Sequence, residues 1–383
     1  MKICMYTETF LPKIGGQEIG LDALSRRMLD RGHEVTILAP MPRSPLKPQD
    51  EQFPYKVVRH PRFYSTHLFT SWYSRYVRKL WRRQRFDVMH LHSVYPCAYV
   101  ASLCRDEVRA PMLIVSHGAC ADTSTRRFKR TKDRHEHAIR NVDALVSIGD
   151  FIDKGYCAAG ANPNSIRHIP NGVETEVFAA DTTRPLDLPR EFQPGQYILY
   201  LGRLERRKGV DVLLEAYARL PRETRLPLAI VGYGDEREAL ERQATELGLR
   251  DRVCFLGRRT GNDKVYLLQH ALCAAMPTRS WEGLPLVALE CFASGCAIVG
   301  TDAPGLGNLI QPGVNGFKVP MEDAQSLSEA LHQAIRHPQL MRQMGDYALR
   351  QSKEYDWSNV AARFESLYIE LISQRRLGYR SAG

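Results

Sequence analysis

No stretch of the sequence approaches the ~18 apolar residues that a membrane-spanning helix needs. The opening run MKICMYTETF reaches Glu8 too early to hold a signal-peptide core. The cysteines, at 4, 97, 104, 120, 157, 254, 273, 291 and 296, are odd in number and never form a CxxC pair. Several sit inside apolar runs (Cys4, Cys254, Cys273), as reduced, buried thiols do. A cytoplasmic protein is therefore expected, at most peripheral at the inner membrane face. There is no GxxxxGK[ST] loop, so P-loop phosphoryl transfer is not expected. His135 and His137 flank Glu136 at a helical spacing of i and i+2 that points them apart, and no metal site emerges.

What is present is ordinary globular material: 44% apolar and 25% charged residues, which excludes disorder, collagen-like repeats and a coiled-coil rod. At roughly 100–200 residues per domain, a chain of 383 residues reads as two domains. Short apolar runs alternate with helical patterns. KICMY (2–6), EVTILAP (34–40), DVMHLH (87–92), MLIVSH (112–117), ALVSI (144–148) and IRHIP (166–170) read as strands. The pattern restarts with YILYLG (197–202), LAIVGYG (228–234), VCFLG (253–257), LCAAMP (272–277) and AIVGT (297–301). Strands alternating with helices imply parallel sheets buried on both faces. The expected architecture is α/β, with two doubly wound Rossmann-like domains facing across a cleft. Their limits are 1–177 and 196–355, joined by a Pro-rich linker at 178–195, with a helix in 356–383 packing back on the first domain.

Open parallel sheets bind ligands beyond the carboxyl ends of their strands, so the loops there carry the chemistry. In YLGRLERRKGVDVLLE (200–215) a strand ends at Gly202, and Arg203 follows at the sheet edge. A helix expected from about Arg207 to Leu220 puts Lys208-Gly209 in its first turn, where cations oppose the helix dipole. A bound polyanion would offset that cost, Arg203 gripping phosphate oxygens and Lys208 acting as a point charge. A solvated cluster with Arg206 and Arg207 fits the same residues.

The second loop is PTRSWEGLPLVALECFASGCAIVG (277–300), where a strand runs through Glu282 into a helix carrying Pro285 early. The backbone of Gly283, Leu284, Pro285 and Leu286 is expected to form an anion-binding helix start. Glu290 lies about 12 Å further along, at 1.5 Å per residue, which suits a nucleotide sugar: one carboxylate faces sugar hydroxyls, the other the ribose. Glu282 also reads as an acid of the N-cap region. Glu290, flanked by Leu289, Cys291 and Phe292, needs a partner to be charged there.

The pair Glu282-x7-Glu290, preceded by LGRLERRKG, resembles the donor-site signature of glycosyltransferase family 4. Gly15-Gly16 with RGHEVTILAP, FDVMHLH, VSHG (115–118), PNGVETEVF (170–178) and the run 197–317 follow in family order. The resemblance implies a GT-B fold and retaining, metal-independent transfer from a nucleotide-diphosphate sugar (UDP- or GDP-sugar), with no cofactor. It puts Arg203 and Lys208 on the diphosphate and Glu290 on the ribose. Glu282 and the backbone of Gly283–Leu286 hold the sugar and its phosphate, and His117 contacts the sugar. Gly15 and Gly16 let the backbone approach phosphate or acceptor, since glycine lacks a Cβ. Arg258, beyond Gly257, meets the nucleobase. One departure stands in DAPGLGNLI (302–310), where Asn308 occupies the place of an expected glutamate and bears on donor-sugar preference.

From Gln52 to Phe86 there is no acidic residue, whereas Lys56, Arg59, Arg62, Arg75, Arg78, Lys79, Arg82, Arg83 and Arg85 are basic. They nearly equal the whole formal net charge of +10. Trp72, Tyr73, Tyr76, Val77, Leu80 and Trp81 share one helical face, the core-packing one. The opposite basic face suits an anionic membrane surface through 56–85; nucleic-acid binding is not expected. The function expected is hexosyl transfer to a hydroxyl of a glycan or lipid-linked acceptor, in cell-envelope polysaccharide, lipopolysaccharide or glycolipid synthesis. A GT-B sugar-nucleotide epimerase and a non-catalytic sugar-nucleotide-binding protein are the alternatives.

Overall fold

The structure, a computed structural model, describes residues 1–42, 48–62, 70–116 and 129–380. The chain divides into two units, Met1–Asn171 with Trp357–Gly383, and Gly172–Asp356.

In the first unit, seven strands form one sheet: β1 (Lys2–Tyr6), β2 (Glu34–Pro40), β3 (Lys56–His60), β4 (Val88–Leu91), β5 (Met112–Val115), β6 (Ala144–Ser147) and β7 (Ile166–His168). Their order is β3-β2-β1-β4-β5-β6-β7, all parallel. Because side chains alternate along a strand, β1 feeds two cores. Cys4 and Tyr6 pack with Tyr73, Val77 and Trp81 of the helix Thr70–Arg83. On the other face, Ile3 and Met5 pack with Leu21, Met28, Phe364 and Tyr368. The last two belong to the C-terminal helix Trp357–Arg380, which is thus part of this unit.

The second unit has β8 (Ile198–Leu201), β9 (Leu228–Val231), β10 (Val253–Gly257), β11 (Cys273–Met276), β12 (Ile298–Thr301) and β13 (Gly316–Val319). They run parallel in the order β10-β9-β8-β11-β12-β13. The winding direction reverses between β8 and β11, paired at Ile198↔Cys273 and Leu199↔Ala274. Such a reversal opens a crevice beyond the strand ends, where ligands bind in doubly wound sheets.

Two details differ from the sequence reading. The first unit ends at Asn171, not 177, and 178–195 is not a free connector but part of the second unit. Val173 N donates to Tyr355 O at 2.8 Å, and Thr182 Oγ1 donates to Gln269 Oε1 at 2.7 Å. Arg184 reaches the carbonyl oxygens of Phe192 at 2.6 Å and Pro189 at 2.8 Å, so one guanidinium closes the Pro-rich loop on itself.

Candidate functional site

The loops leaving β8 and β11 meet at the reversal point. Lys208 does not lie in a helical first turn as expected. Arg206–Lys208 form a single 3-10 turn, and the helix Val210–Ala218 begins only after Gly209. Gly209 is left-handed, with φ +69°, and a Cβ on it would fall 2.1 Å from Pro277 O. Only glycine permits that approach of the β8 loop to the end of β11. The acid in the helix's first turn is Asp211, paired with Arg279 at 2.8 Å. Lys208 is therefore free of the dipole cost inferred from the sequence.

The two loops are stitched by main-chain contacts. Arg207 O accepts from Arg279 N at 3.0 Å and from Thr278 Oγ1 at 3.1 Å. The result is that Lys208 Nζ sits 2.5 Å from Glu282 Oε1. The same oxygen accepts from Thr278 Oγ1 at 3.2 Å and faces Arg207 at 3.4 Å. Burial pushes the Lys208 ammonium below its ordinary value, and Glu282 pulls it back up. Arg203, half-exposed, pairs with Glu205 at 2.6 Å, and Glu205 also holds Arg207 Nε at 2.9 Å. Arg203, Glu205, Arg207, Lys208 and Glu282 thus form one charged network with three cations and two carboxylates.

Glu282 does not cap the next helix. The helix is Leu286–Ala293, its N-cap is Pro285, and Pro285 O accepts from Ala288 N at 3.0 Å. Proline has no N–H, so the expected amide set Gly283–Leu286 loses one donor at Pro285. Leu286 and Val287 head the helix, where amides lack partners within it. Glu290 lies in its second turn and is not in contact with the Glu282 network. Lys264, on the helix Gly261–His270, donates to Glu290 Oε1 at 2.8 Å. Burial pushes the Glu290 carboxyl up and Lys264 draws it down.

A turn from the other side braces the Glu282 loop. Glu282 N donates to Pro304 O at 2.9 Å. Gly305 has φ +90°, and a Cβ there would lie 2.0 Å from Gly283 O and 2.1 Å from Glu282 O. Asn308, in the short helix Leu306–Leu309, follows this turn.

The remaining expected residues belong to other segments of the chain. Arg258 follows the edge strand β10, its Cζ 6.0 Å over the Tyr233 ring. His117 lies outside the described residues. Gly15 and Gly16 begin the helix Gly16–Asp30 in the first unit. There a Cβ on Gly15 would meet Glu18 Oε2 at 2.6 Å, so the side chain excluded by glycine would strike the chain's own carboxylate. Glu18 is buried and accepts from Thr9 Oγ1 at 2.8 Å.

Lys264, Glu205 and Thr278 carry no signal that the sequence reading used, and Arg207 entered it only as part of a solvated cluster. For Lys264 a signal existed: Glu290 in an apolar helix demanded a cation. Its address, 26 residues upstream on another helix, needed the fold.

Comparison with known proteins follows the same division. A family model described as Glycosyl transferases group 1 matches residues 189–351, and one described as Glycosyltransferase Family 4 matches 14–177. A D-inositol 3-phosphate glycosyltransferase of Corynebacterium urealyticum is 30% identical over 312 residues, spanning 75% of this chain and 72% of the relative. A phosphatidyl-myo-inositol mannosyltransferase of Mycolicibacterium smegmatis is 29% identical over 358 residues, 92% of this chain and 90% of the relative. The solved structure of Anabaena HepE in complex with UDP superposes with a TM-score of 0.81 at 20% identity, covering 97% of this chain and all of that one.

Proposed function

Because the chain belongs to glycosyltransferase family 4 and has the GT-B fold, we propose that it moves a hexose from a nucleotide-diphosphate donor to a hydroxyl, with retention and without a metal ion. The observation that carries this reading is the Lys208 Nζ–Glu282 Oε1 contact at 2.5 Å at the sheet's reversal point, with Arg203 beside it. In the reaction the C1–O bond of the sugar breaks and its electron pair leaves with the nucleoside diphosphate. The acceptor oxygen forms the new bond to C1 on the same face, and its proton passes to the leaving phosphate. Negative charge grows on the diphosphate as the bond stretches. Arg203, Lys208 and the amides heading the helix Leu286–Ala293 act there, each donor being worth on the order of 3 kcal/mol in such sites. Glu282 holds the Lys208 ammonium and accepts from sugar hydroxyls; Glu290 accepts from the ribose, and Arg258 meets the base.

The acceptor is a glycan or lipid-linked hydroxyl of envelope polysaccharide, lipopolysaccharide or glycolipid synthesis. Support comes from the relatives named for phosphatidyl-myo-inositol and inositol phosphate. The helix Thr70–Arg83 adds to it. Tyr73, Val77, Leu80 and Trp81 are buried, while Arg75, Lys79, Arg82, Arg83 and the following Arg85 are exposed. Glu107 pairs with both Arg78 at 2.9 Å and Arg82 at 3.0 Å, leaving Arg75, Lys79 and Arg83 to meet anionic headgroups. No helix among the described residues is long and apolar enough to cross a membrane.

The test follows nucleoside diphosphate release from UDP-glucose and GDP-mannose, with and without a glycolipid acceptor fraction. Acceptor-dependent release is expected. Donor consumed without acceptor would indicate an epimerase, and donor bound without release a silent binding protein.

A further inference from the structure

We infer that Lys264 is a positioning residue for nucleotide recognition, holding Glu290 so that its carboxylate accepts from the two hydroxyls of a donor ribose. The inference rests on the donor reading above and adds to it a residue outside the Glu282 network. Glu290 is mostly shielded from water in a helix whose neighbours are Leu289, Cys291 and Phe292, all fully buried. An unpartnered carboxyl in such surroundings takes up a proton. Its partner is Lys264 Nζ, 2.8 Å from Oε1, and that ammonium also lies 5.0 Å above the ring of Phe178. Two directions of attraction, to a carboxylate and to an aromatic face, fix the ammonium.

A carboxylate has about four lone-pair positions on its two oxygens. Lys264 occupies one on Oε1, which leaves Oε2 and the rest of Oε1 for incoming donors. A vicinal diol presents two O–H donors at the spacing of one carboxylate, which is the chemistry of a ribose 2′,3′ pair. A neutral carboxyl accepts on its carbonyl oxygen alone, and its own O–H would meet one of the ribose hydroxyls donor to donor. Removing the Lys264 charge therefore weakens recognition of the diol and leaves the phosphate-binding loop of Lys208 untouched. Removing one partner of a buried pair costs stability, so a fold-only role for Lys264 predicts a lower melting temperature with no change in which nucleotide is chosen.

The experiment compares kcat/KM for ribo- and 2′-deoxyribo-forms of UDP-glucose and GDP-mannose in the wild type, Lys264→Met and Lys264→Arg. Sites built to bond a hydroxyl discriminate strongly against its absence. The wild type is expected to prefer the ribo-donor by at least about tenfold, a single hydrogen bond's worth. Lys264→Met is expected to lose most of that preference through KM, with kcat within about twofold, and Lys264→Arg to restore it. If Lys264→Met does not melt as a folded protein, Lys264→Gln, polar and uncharged, replaces it in the same comparison. Wild-type preference persisting in the uncharged variant overturns this inference alone. A wild type that transfers sugar but ignores the 2′-hydroxyl overturns the ribose role of Glu290 and this inference with it. Absence of transfer from any nucleotide sugar overturns the donor reading itself.

Discussion

Lys208 and Glu282 share one contact of 2.5 Å although 74 residues separate them, and Thr278 and Arg207 converge on the same carboxylate oxygen. Charges so placed are coupled, so removing one leaves the other stranded. Lys208→Met is expected to lower transfer by two to three decades and stability by about 1–2 kcal/mol, the Arg207 contact limiting the loss. Glu282→Gln should fall similarly. The double variant should melt above Lys208→Met while remaining inactive, because no unpaired charge is left. Additive losses of stability in the double-mutant cycle would show the two to be independent.

Gly305→Ala tests the brace behind the Glu282 loop. The new Cβ would collide with the carbonyl oxygens of Gly283 and Glu282, and the residue would keep a left-handed φ of +90°. The loop must move, at about 2 kcal/mol or more. Donor KM should rise together with a fall in melting temperature. Unchanged kinetics would separate this turn from the site.

The C-terminal helix gives a pH-dependent prediction. Glu365 binds Arg31 (Nε at 2.9 Å) and His33 Nε2 at 2.7 Å. Arg31 first, then His33, holds its carboxyl below the ordinary 4.5. A carboxyl depressed in the folded state stabilises above its unfolded pKa, and that contribution disappears as pH falls through the folded value. Glu365→Gln should cost about 1 kcal/mol at pH 7; the gap from the wild type should begin to close as pH falls below the ordinary value of 4.5 and vanish only below the lowered folded value. A difference that persists in acid would point to lost packing.

Legibility followed burial. Strands with both faces covered read directly as apolar runs: β2 is predicted at 34–40, as found. The strands that escaped, β3 (KVVRH) and β13 (GFKV), are sheet edges whose polar residues break the run. That Arg203 and Glu282 fall in loops beyond strand ends, and that Glu290 interrupts an apolar helix, is readable from the sequence. Their partners are not. Pairings such as Glu290 with Lys264 depend on which helices the sheet order makes neighbours. The short turn before Gly209 was also hidden, since its helical pattern continues through a residue that is left-handed in the structure.

The basic helix gives a separable test. Arg75→Gln, Lys79→Gln and Arg83→Gln together should weaken sedimentation with phosphatidylglycerol vesicles on the order of a hundredfold, at about 1 kcal/mol per residue. Melting temperature and acceptor-independent donor binding should stay unchanged, because these side chains are exposed. Vesicle binding that survives the triple variant would assign the contact to another surface.

The most direct measurement is donor-induced thermal stabilisation, recorded in a chelator for the wild type and Lys208→Met. Binding raises stability by RT ln(1+[L]/Kd). For the wild type, one of UDP-glucose, GDP-mannose, ADP-glucose or dTDP-glucose is expected to raise the melting temperature saturably with EDTA present, and Lys208→Met to abolish the rise. A rise that needs a divalent ion, or that survives intact in Lys208→Met, would contradict a diphosphate held by Arg203, Lys208 and the helix start at Leu286.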